Sequence, residues 1–284
     1  MTDEHQVQSA ASLADAYAML AQRSDVKVIA GGTDLMVLMN ARSLDAGHFL
    51  DIWGLEELRG ITDQGPSLRI GALSTFAELG RSPLVLQHMP ALAAASGTVG
   101  AVQIQNRATI GGNVVNASPA GDSLPVLAAY DAEIEAGSLR GTRRIRFAEF
   151  YSGYRRTLLR SDELVLAIWI PKLAPGERDY FRKVGTRRAQ AISKVVMAGR
   201  AVASEGRIDS IGIGIGSVAP TVIRASGTES FLTSAHLDSS VIDTARHMIA
   251  GEVRPITDLR STEAYRRAVT GNLLAEFLRQ LIPT

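Results

Sequence analysis

Residues 108–127 read ATIGGNVVNASPAGDSLPVL, and the fold turns on how this stretch is understood. It places the pair Gly111-Gly112, the hydroxyl of Thr109, Asn113, Asn116, Ser118 and Asp122 between apolar runs. A second stretch of the same chemistry lies upstream, VIAGGTDLMV at 28–37, where Gly31-Gly32 is followed by Thr33. A pyrophosphate group needs several backbone N–H donors converging on it with no Cβ in the way. Glycine permits that approach and the positive φ angles that aim successive amides inward. Thr33 can open a short helix whose first N–H groups favour phosphate, and Thr109 can donate its hydroxyl. A carboxylate is a poor neighbour for phosphate, so Asp122 is better used accepting from a ribose hydroxyl. Either stretch alone reads as a tight strand-to-helix turn with glycine for geometry. The two together, the second followed by SPAGD, read as two loops closing on one polyanionic ligand.

Three segments carry a family resemblance: AGGTDL at 30–35, TIGGNVVNASPAGDSLPVL at 109–127, and FRKVGTRRAQAISKV at 181–195. In order and spacing they resemble the FAD-binding medium subunit of the molybdenum hydroxylases. That is the flavoprotein subunit of carbon-monoxide-dehydrogenase-like enzymes and the counterpart of the flavin domain of xanthine dehydrogenase. The resemblance covers nearly the whole chain. It implies an α+β fold with a two-lobed FAD-binding domain of the vanillyl-alcohol-oxidase/PCMH type, residues 1–56 and 57–174. A C-terminal α+β domain with an antiparallel sheet and helices, residues 175–284, follows.

The resemblance also implies roles. Val28, Ile29, Ala30, Gly31, Gly32, Thr33, Asp34 and Leu35 would wrap the FAD diphosphate from one lobe. Thr109, Ile110, Gly111, Gly112 and Asn113 would do so from the other. Asp122 falls where the family's acidic residue contacts the adenosine part, and Ser118 supports the loop. Val165 falls at an expected backbone contact to the flavin, and Val99 aligns by spacing with another. Lys183 matches a family lysine near the isoalloxazine ring, where a cation favours the negative charge of reduced flavin. On composition alone Lys183 is a solvated strand lysine; the surrounding FRKVGTRR is what gives it the flavin role.

By the same resemblance the chain is an electron-transfer flavoprotein subunit. Its expected partners are a large molybdopterin subunit holding the molybdenum cofactor and a small iron–sulfur subunit holding 2Fe-2S clusters. A dimer of heterotrimers is the expected assembly. Two rivals stand beside this reading: a self-contained flavin reductase of the enolpyruvyl-UDP-sugar reductase type, and a scaffold subunit that has lost its flavin.

Bulk properties bound these readings. A chain of 284 residues can form two domains with ordinary cores. With 30 basic and 29 acidic residues the formal net charge is +1, which gives no electrostatic case for nucleic acid or an anionic membrane. Cysteine is absent, so this chain holds no iron–sulfur cluster by thiolates and uses no cysteine nucleophile. The first twenty residues lack a basic region followed by an apolar core, and no stretch approaches a membrane span. A cytoplasmic protein is the expectation. His5, His48, His88, His236 and His247 show no ligand spacing, so no metal site is expected. No Ser-His-Asp or paired-carboxylate arrangement suits hydrolysis.

Taken in order, the pattern predicts a helix over 12–23 capped by Ser12, a strand over 26–29, a short helix over 34–39 and a strand over 49–52. The strand–glycine–helix unit lacks GxGxxG, so a nicotinamide-type site is not supported. Leu55 and Leu58 face inward from a short helical connection. The stretch 62–67 reads as a turn, 68–72 as a strand, 75–81 as a helix capped by Ser74 or Thr75, 90–96 as a small-residue helix and 125–130 as a helix. Strands are expected over 132–136 and 143–147, joined by a turn at Gly137-Ser138, and over 163–170. The stretch 172–178 is the linker. Strands follow over 180–184, 194–203 and 208–218, then helices over 239–250 and 261–282. The segment IGIGIG, 211–216, invites a nucleotide reading. Its period of two instead puts Ile211, Ile213 and Ile215 on one face and leaves a glycine face for close packing. Trp53 and Trp169 read as packing residues, and Arg187-Arg188 as a basic turn facing solvent, a partner subunit or a phosphate-bearing oxidant. Family N-termini often carry an aromatic–proline strand that MTDEHQVQSA lacks, so a shortened or disordered first segment is expected.

Overall fold

The computed structural model describes residues 6–44 and 47–282. The expectations about His5, and about residues 1–5 of the first segment, lie outside them.

The chain begins with a small parallel sheet. Strands β1 (Gln6–Ser9), β2 (Val26–Ile29) and β3 (His48–Asp51) are interleaved with helices α1 (Leu13–Gln22) and α2 (Leu35–Asn40), and the strand order is β1-β3-β2. Ser12 caps α1 by accepting from the Asp15 amide, and Ala16 and Leu20 are buried beneath it. The described part of the first segment forms an edge strand, so the expectation of disorder does not hold for residues 6–9. All four β1 residues are exposed, so no burial pattern marks them in the sequence. Backbone pairing places them in parallel register with β3, and the Ser9 hydroxyl donates to Asp51 Oδ2. A 3₁₀ turn at Glu56–Leu58 follows, with Leu55 and Leu58 buried as their spacing predicts.

The second lobe is an antiparallel sheet covered by short helices. Strands β4 (Ile61–Gln64) and β5 (Ser67–Gly71) lead into α3 (Phe76–Arg81), α4 (Pro83–His88), α5 (Pro90–Ser96), α6 (Val102–Gln105), α7 (Ile110–Asn116) and α8 (Leu124–Ala129). Strands β6 (Glu133–Ser138), β7 (Gly141–Arg146), β8 (Tyr151–Gly153), β9 (Arg156–Thr157) and β10 (Leu164–Pro171) complete it. The main sheet runs β4-β5-β10-β6-β7, and β8-β9 is a separate hairpin. The stretch 62–67 is therefore mostly strand, with Gly65 (φ +72°) turning β4 back into β5. The β6–β7 turn lies at Leu139-Arg140, not at Gly137-Ser138, because Ser138 still pairs with Gly141. Thr75 caps α3 in a reciprocal arrangement with Glu78.

The C-terminal part is a four-stranded antiparallel sheet backed by helices. It comprises β11 (Arg178–Val184), β12 (Val195–Ser204), β13 (Arg207–Gly216) and β14 (Ile223–Arg224), in that order across the sheet, with α9 (Ser226–Leu232), α10 (Ser239–Glu252) and α11 (Glu263–Leu281). Strand β13 carries IGIGIG as alternation predicts. Ile211, Ile213 and Ile215 enter the core beneath the helices. The opposite face lies on α8: a Cβ at Gly214 would stand 2.0 Å from the Pro125 carbonyl oxygen, and one at Gly212 would stand 2.4 Å from that of Ala129. The segment packs; it does not cradle a phosphate. The same junction carries a polar tie. The Tyr130 hydroxyl donates to Asp179 at 2.6 Å, and Asp179 also accepts from the Ala91 amide.

Candidate functional site

The sheet order brings the C-terminal end of β2 beside the start of α7. Gly31 and Gly32 follow β2 directly, while Thr109 is held against α3 and its cap: Phe76 N donates to Ala108 O and Ile110 N to Ser74 O. The two segments touch. A Cβ at Gly31 would lie 1.8 Å from the Arg107 carbonyl oxygen. Between them runs a groove of about 680 Å³, within the range of small-molecule sites.

Of the residues expected from the sequence, Val28, Ala30, Gly31, Gly32, Thr33, Asp34 and Leu35 line one wall of this groove. Thr109, Gly111, Gly112 and Asn113 line the other, with Val99 and Val165 between. Ile29, Ile110, Ser118, Asp122 and Lys183 are not among the lining residues. Ile110 is fully buried in the second lobe's core. Ser118 accepts from the Ala120 amide, which fixes its own loop.

The two glycine pairs work differently, although the sequence makes them look alike. Among the described residues, the amides of Gly31, Gly32, Thr33 and Asp34 have no acceptor within the chain. Gly32 sits at φ +74°, a conformation that glycine adopts without strain. This loop presents free N–H groups at the start of α2, a setting that favours an anion. In the second segment the amides are already used. Ile110 N bonds Ser74 O, Gly111 N bonds Ala72 O, Gly112 N bonds Thr109 Oγ1 and Asn113 N bonds Thr109 O. Gly111-Gly112 is not a loop but the first turn of α7, capped by Thr109. That wall therefore offers side-chain groups. Thr109 accepts from Gly112 and keeps its hydroxyl hydrogen to donate. Asn113 accepts at Oδ1 from Ser123 and keeps its amide hydrogens.

The glycines of α7 have separate reasons. A Cβ at Gly111 would strike the Ala72 Cβ at 2.7 Å and its carbonyl oxygen at 2.8 Å, so this glycine lets α7 lie on the sheet. A Cβ at Gly112 would meet only Thr109 Oγ1, at 2.9 Å. The other space it would fill is groove. The donor set and this cradle fit a dinucleotide whose centre is a diphosphate.

Asp122 and Lys183 meet each other. Lys183 Nζ stands 2.6 Å from Asp122 Oδ2 and also donates to the Thr98 carbonyl, while Ser193 donates to Asp122 Oδ1. Both charged groups are buried. The pair ties β11 to the segment carrying Val99, one residue from the groove lining. Burial pushes the Asp122 carboxyl above its ordinary value, and Lys183 and then Ser193 oppose that rise. The lysine expected as a lone cation is thus half of a buried ion pair.

Several groove residues were not read from the sequence. Asn116 Nδ2 donates to Asp34 Oδ1 at 3.2 Å and so bridges the two walls. Helical spacing from Asn113 puts Asn116 on the same face, a signal available in the motif itself. Arg155 reaches the groove from the β8–β9 hairpin, which no periodicity announced. Among the described residues no helix is long and apolar enough to cross a membrane, and no group of three or more His, Cys, Asp or Glu could hold a metal ion.

The chain is similar to known proteins along nearly its whole length. Residues 3–173 match the family model described as FAD binding domain in molybdopterin dehydrogenase, and residues 180–281 match that of the CO dehydrogenase flavoprotein C-terminal domain. The chain is 33% identical over 261 residues to a xanthine dehydrogenase FAD-binding subunit of Escherichia coli O157:H7, covering 90% of this chain and 89% of that protein. It is 31% identical over 271 residues to the carbon monoxide dehydrogenase medium chain of Hydrogenophaga pseudoflava, covering 94% and 93%. A solved structure of carbon monoxide dehydrogenase from Hydrogenophaga pseudoflava superposes with a TM-score of 0.94 at 29% identity, over 98% of this chain and 97% of that one.

Proposed function

Because this chain belongs to the family of FAD-binding domains in molybdopterin dehydrogenases, we propose that it is the FAD-binding electron-transfer subunit of a heteromeric molybdenum hydroxylase. It takes electrons from the iron–sulfur clusters of a partner and passes them on to a terminal acceptor. The observation that carries the reading is a single groove lined both by Gly31–Asp34, whose four amides are unbonded, and by Gly112. Bound FAD would supply the exchange between one- and two-electron carriers, which no side chain of this protein provides.

The residues then have distinct tasks. The amides of Gly31, Gly32, Thr33 and Asp34 would hold the diphosphate, and Thr109 and Asn113 would donate from the opposite wall. Gly112 would leave the space it occupies. Asn116 holds the Asp34 carboxylate to one side, which limits its repulsion of phosphate. Asp122, expected at the adenosine part, and Lys183, expected at the ring, bind each other outside the groove lining and so cannot serve opposite ends of the dinucleotide. The pair would instead support the segment carrying Val99, with Lys183 also held by the Thr98 carbonyl. With the carboxylate 2.6 Å away, the ammonium's field in the groove is largely offset. Ile29, Ile110 and Ser118 would act by supporting the two walls, and Val99 and Val165 by apolar contact.

The zero cysteine count places any thiolate-held cluster on another polypeptide. The complex would comprise this chain, a large molybdopterin subunit and a small iron–sulfur subunit, paired as a dimer of heterotrimers in the cytoplasm. Purification of the full chain tests the reading: it is expected to be yellow, or to take up FAD stoichiometrically, and to co-purify with partners that contain molybdenum and iron. Reduction of its flavin by NADPH without partners would favour the self-contained reductase instead. A colourless chain that takes up no FAD would favour the scaffold.

A further inference from the structure

Four charged side chains line the groove: Lys27, Asp34, Arg155 and Glu163. Of the two acids, Glu163 is neutralised by an ion pair, whereas Asp34 is hydrogen-bonded and keeps its charge. Asp34 accepts from Asn116. Glu163 accepts twice from Arg143, both at 2.8 Å, and once from the Arg160 amide. Among the described residues, neither Lys27 nor Arg155 has an ion pair or a side-chain hydrogen bond. With Asp34 set against these two cations, the groove lining carries one positive charge in excess although the whole chain is nearly neutral.

The two cations differ in how they are held. Lys27 projects from the exposed side of a strand on a flexible stem. Arg155 sits in the two-residue turn of the β8–β9 hairpin at φ +51°, where β8 residue Gly153 still pairs with Arg156. The base of that hairpin is fixed. The Tyr151 hydroxyl donates to the Val114 carbonyl on α7 at 2.9 Å, and Leu158 N donates to Phe150 O. The hairpin is thus bolted to the helix that carries Gly112. A guanidinium suits phosphate because it is always charged and donates in a planar fork.

Resting on the FAD reading above, we infer that Arg155 is a further binding residue, the side-chain cation that pairs with the diphosphate of the dinucleotide. The backbone amides of Gly31–Asp34 supply partial charges for a doubly anionic group. Arg155 supplies the full positive charge that they lack, and Lys27 adds a second, mobile one.

The test uses the full chain stripped of flavin, with FAD and riboflavin as probes in fluorescence titrations at two ionic strengths. Wild type is expected to bind FAD, less tightly as salt rises. R155A should weaken FAD binding about 10- to 100-fold and flatten the salt dependence. R155K should fall between, and R156A, its exposed neighbour outside the groove lining, should match wild type. Riboflavin, which has no diphosphate, should bind R155A and wild type equally. If wild type takes up no FAD, the functional reading itself fails. If wild type binds FAD while R155A and R155K match it in affinity and salt response, the assignment of Arg155 alone is overturned. An equal loss for riboflavin in R155A would also overturn it, because the effect would not then lie at the phosphate.

Discussion

Gly31 stands against Arg107 so closely that an added Cβ would overlap the Arg107 carbonyl oxygen at 1.8 Å. The obstacle is backbone and cannot swing aside. Gly31→Ala should therefore force the two lobes apart where they meet, at a cost of roughly 1–3 kcal/mol, and open the groove. Thermal unfolding and FAD titration are both expected to worsen. Gly54→Ala, with nothing within 4 Å of its added carbon, should change neither. A Gly31→Ala protein with wild-type stability and FAD affinity would show that the lobes do not depend on this contact.

The adjacent glycines of α7 should separate stability from binding. Gly111→Ala places its methyl into Ala72, including that residue's backbone, so its main effect should be on folding. For Gly112→Val the added Cβ meets only the Thr109 hydroxyl, and the position lines the groove. This substitution should abolish FAD retention in a chain that still unfolds cooperatively near the wild-type midpoint. Circular dichroism melts beside flavin absorbance distinguish the two. Equal FAD retention in Gly112→Val and wild type would contradict the placement of the diphosphate here.

Strand β13 offers a prediction about the junction between sheet and helix. Gly214→Ala would bring a methyl within 2.0 Å of the Pro125 carbonyl oxygen and lift α8 from the strand. Since α8 follows the second motif, the loss should appear in stability first, by roughly 1–3 kcal/mol, and in flavin content second. If IGIGIG bound a ligand instead, Gly214→Ala would spare the unfolding midpoint measured without flavin. An unchanged midpoint would count against the packing role.

The parts legible in the sequence were those with a repeating or chemical signature. Alternation gave β13 its buried and packed faces, Ser12 and Thr75 announced their helices as caps, and both glycine pairs were found on one groove. The illegible parts lacked such a signature. Strand β1 is exposed at every residue, so nothing in QVQS distinguishes strand from coil except a partner more than thirty residues away. Helix α4 carried a readable start, Ser82 before Pro83, but its single buried residue Val85 gave no stripe. The two GG pairs could not be told apart because amide satisfaction depends on tertiary neighbours. Only the approach of Ala72, Ser74 and the Thr109 cap uses up the second set. Lys183 and Asp122 are 61 residues apart, and no local pattern links them.

That pair supports a prediction in which pH supplies the decisive reading. Lys183→Met leaves the buried Asp122 carboxylate without its cation, with Ser193 and Thr98 as its remaining side-chain partners. Breaking a buried ion pair by removing one partner costs about 3–5 kcal/mol. The carboxyl, already raised by burial, should rise further. The folded variant then binds a proton more readily than the unfolded chain, so acidification stabilises it relative to the unfolded state. Its deficit against wild type should be greatest near neutral pH. It should shrink as pH falls through the raised folded value toward the ordinary carboxyl range, and stop shrinking once both states are protonated. Adding Asp122→Asn to Lys183→Met removes the charge altogether and should recover part of the lost stability at neutral pH, with little pH dependence left. Urea unfolding of the three proteins across the acid range measures this. A deficit for Lys183→Met that stays constant with pH would mean that the carboxylate is not what the lysine compensates.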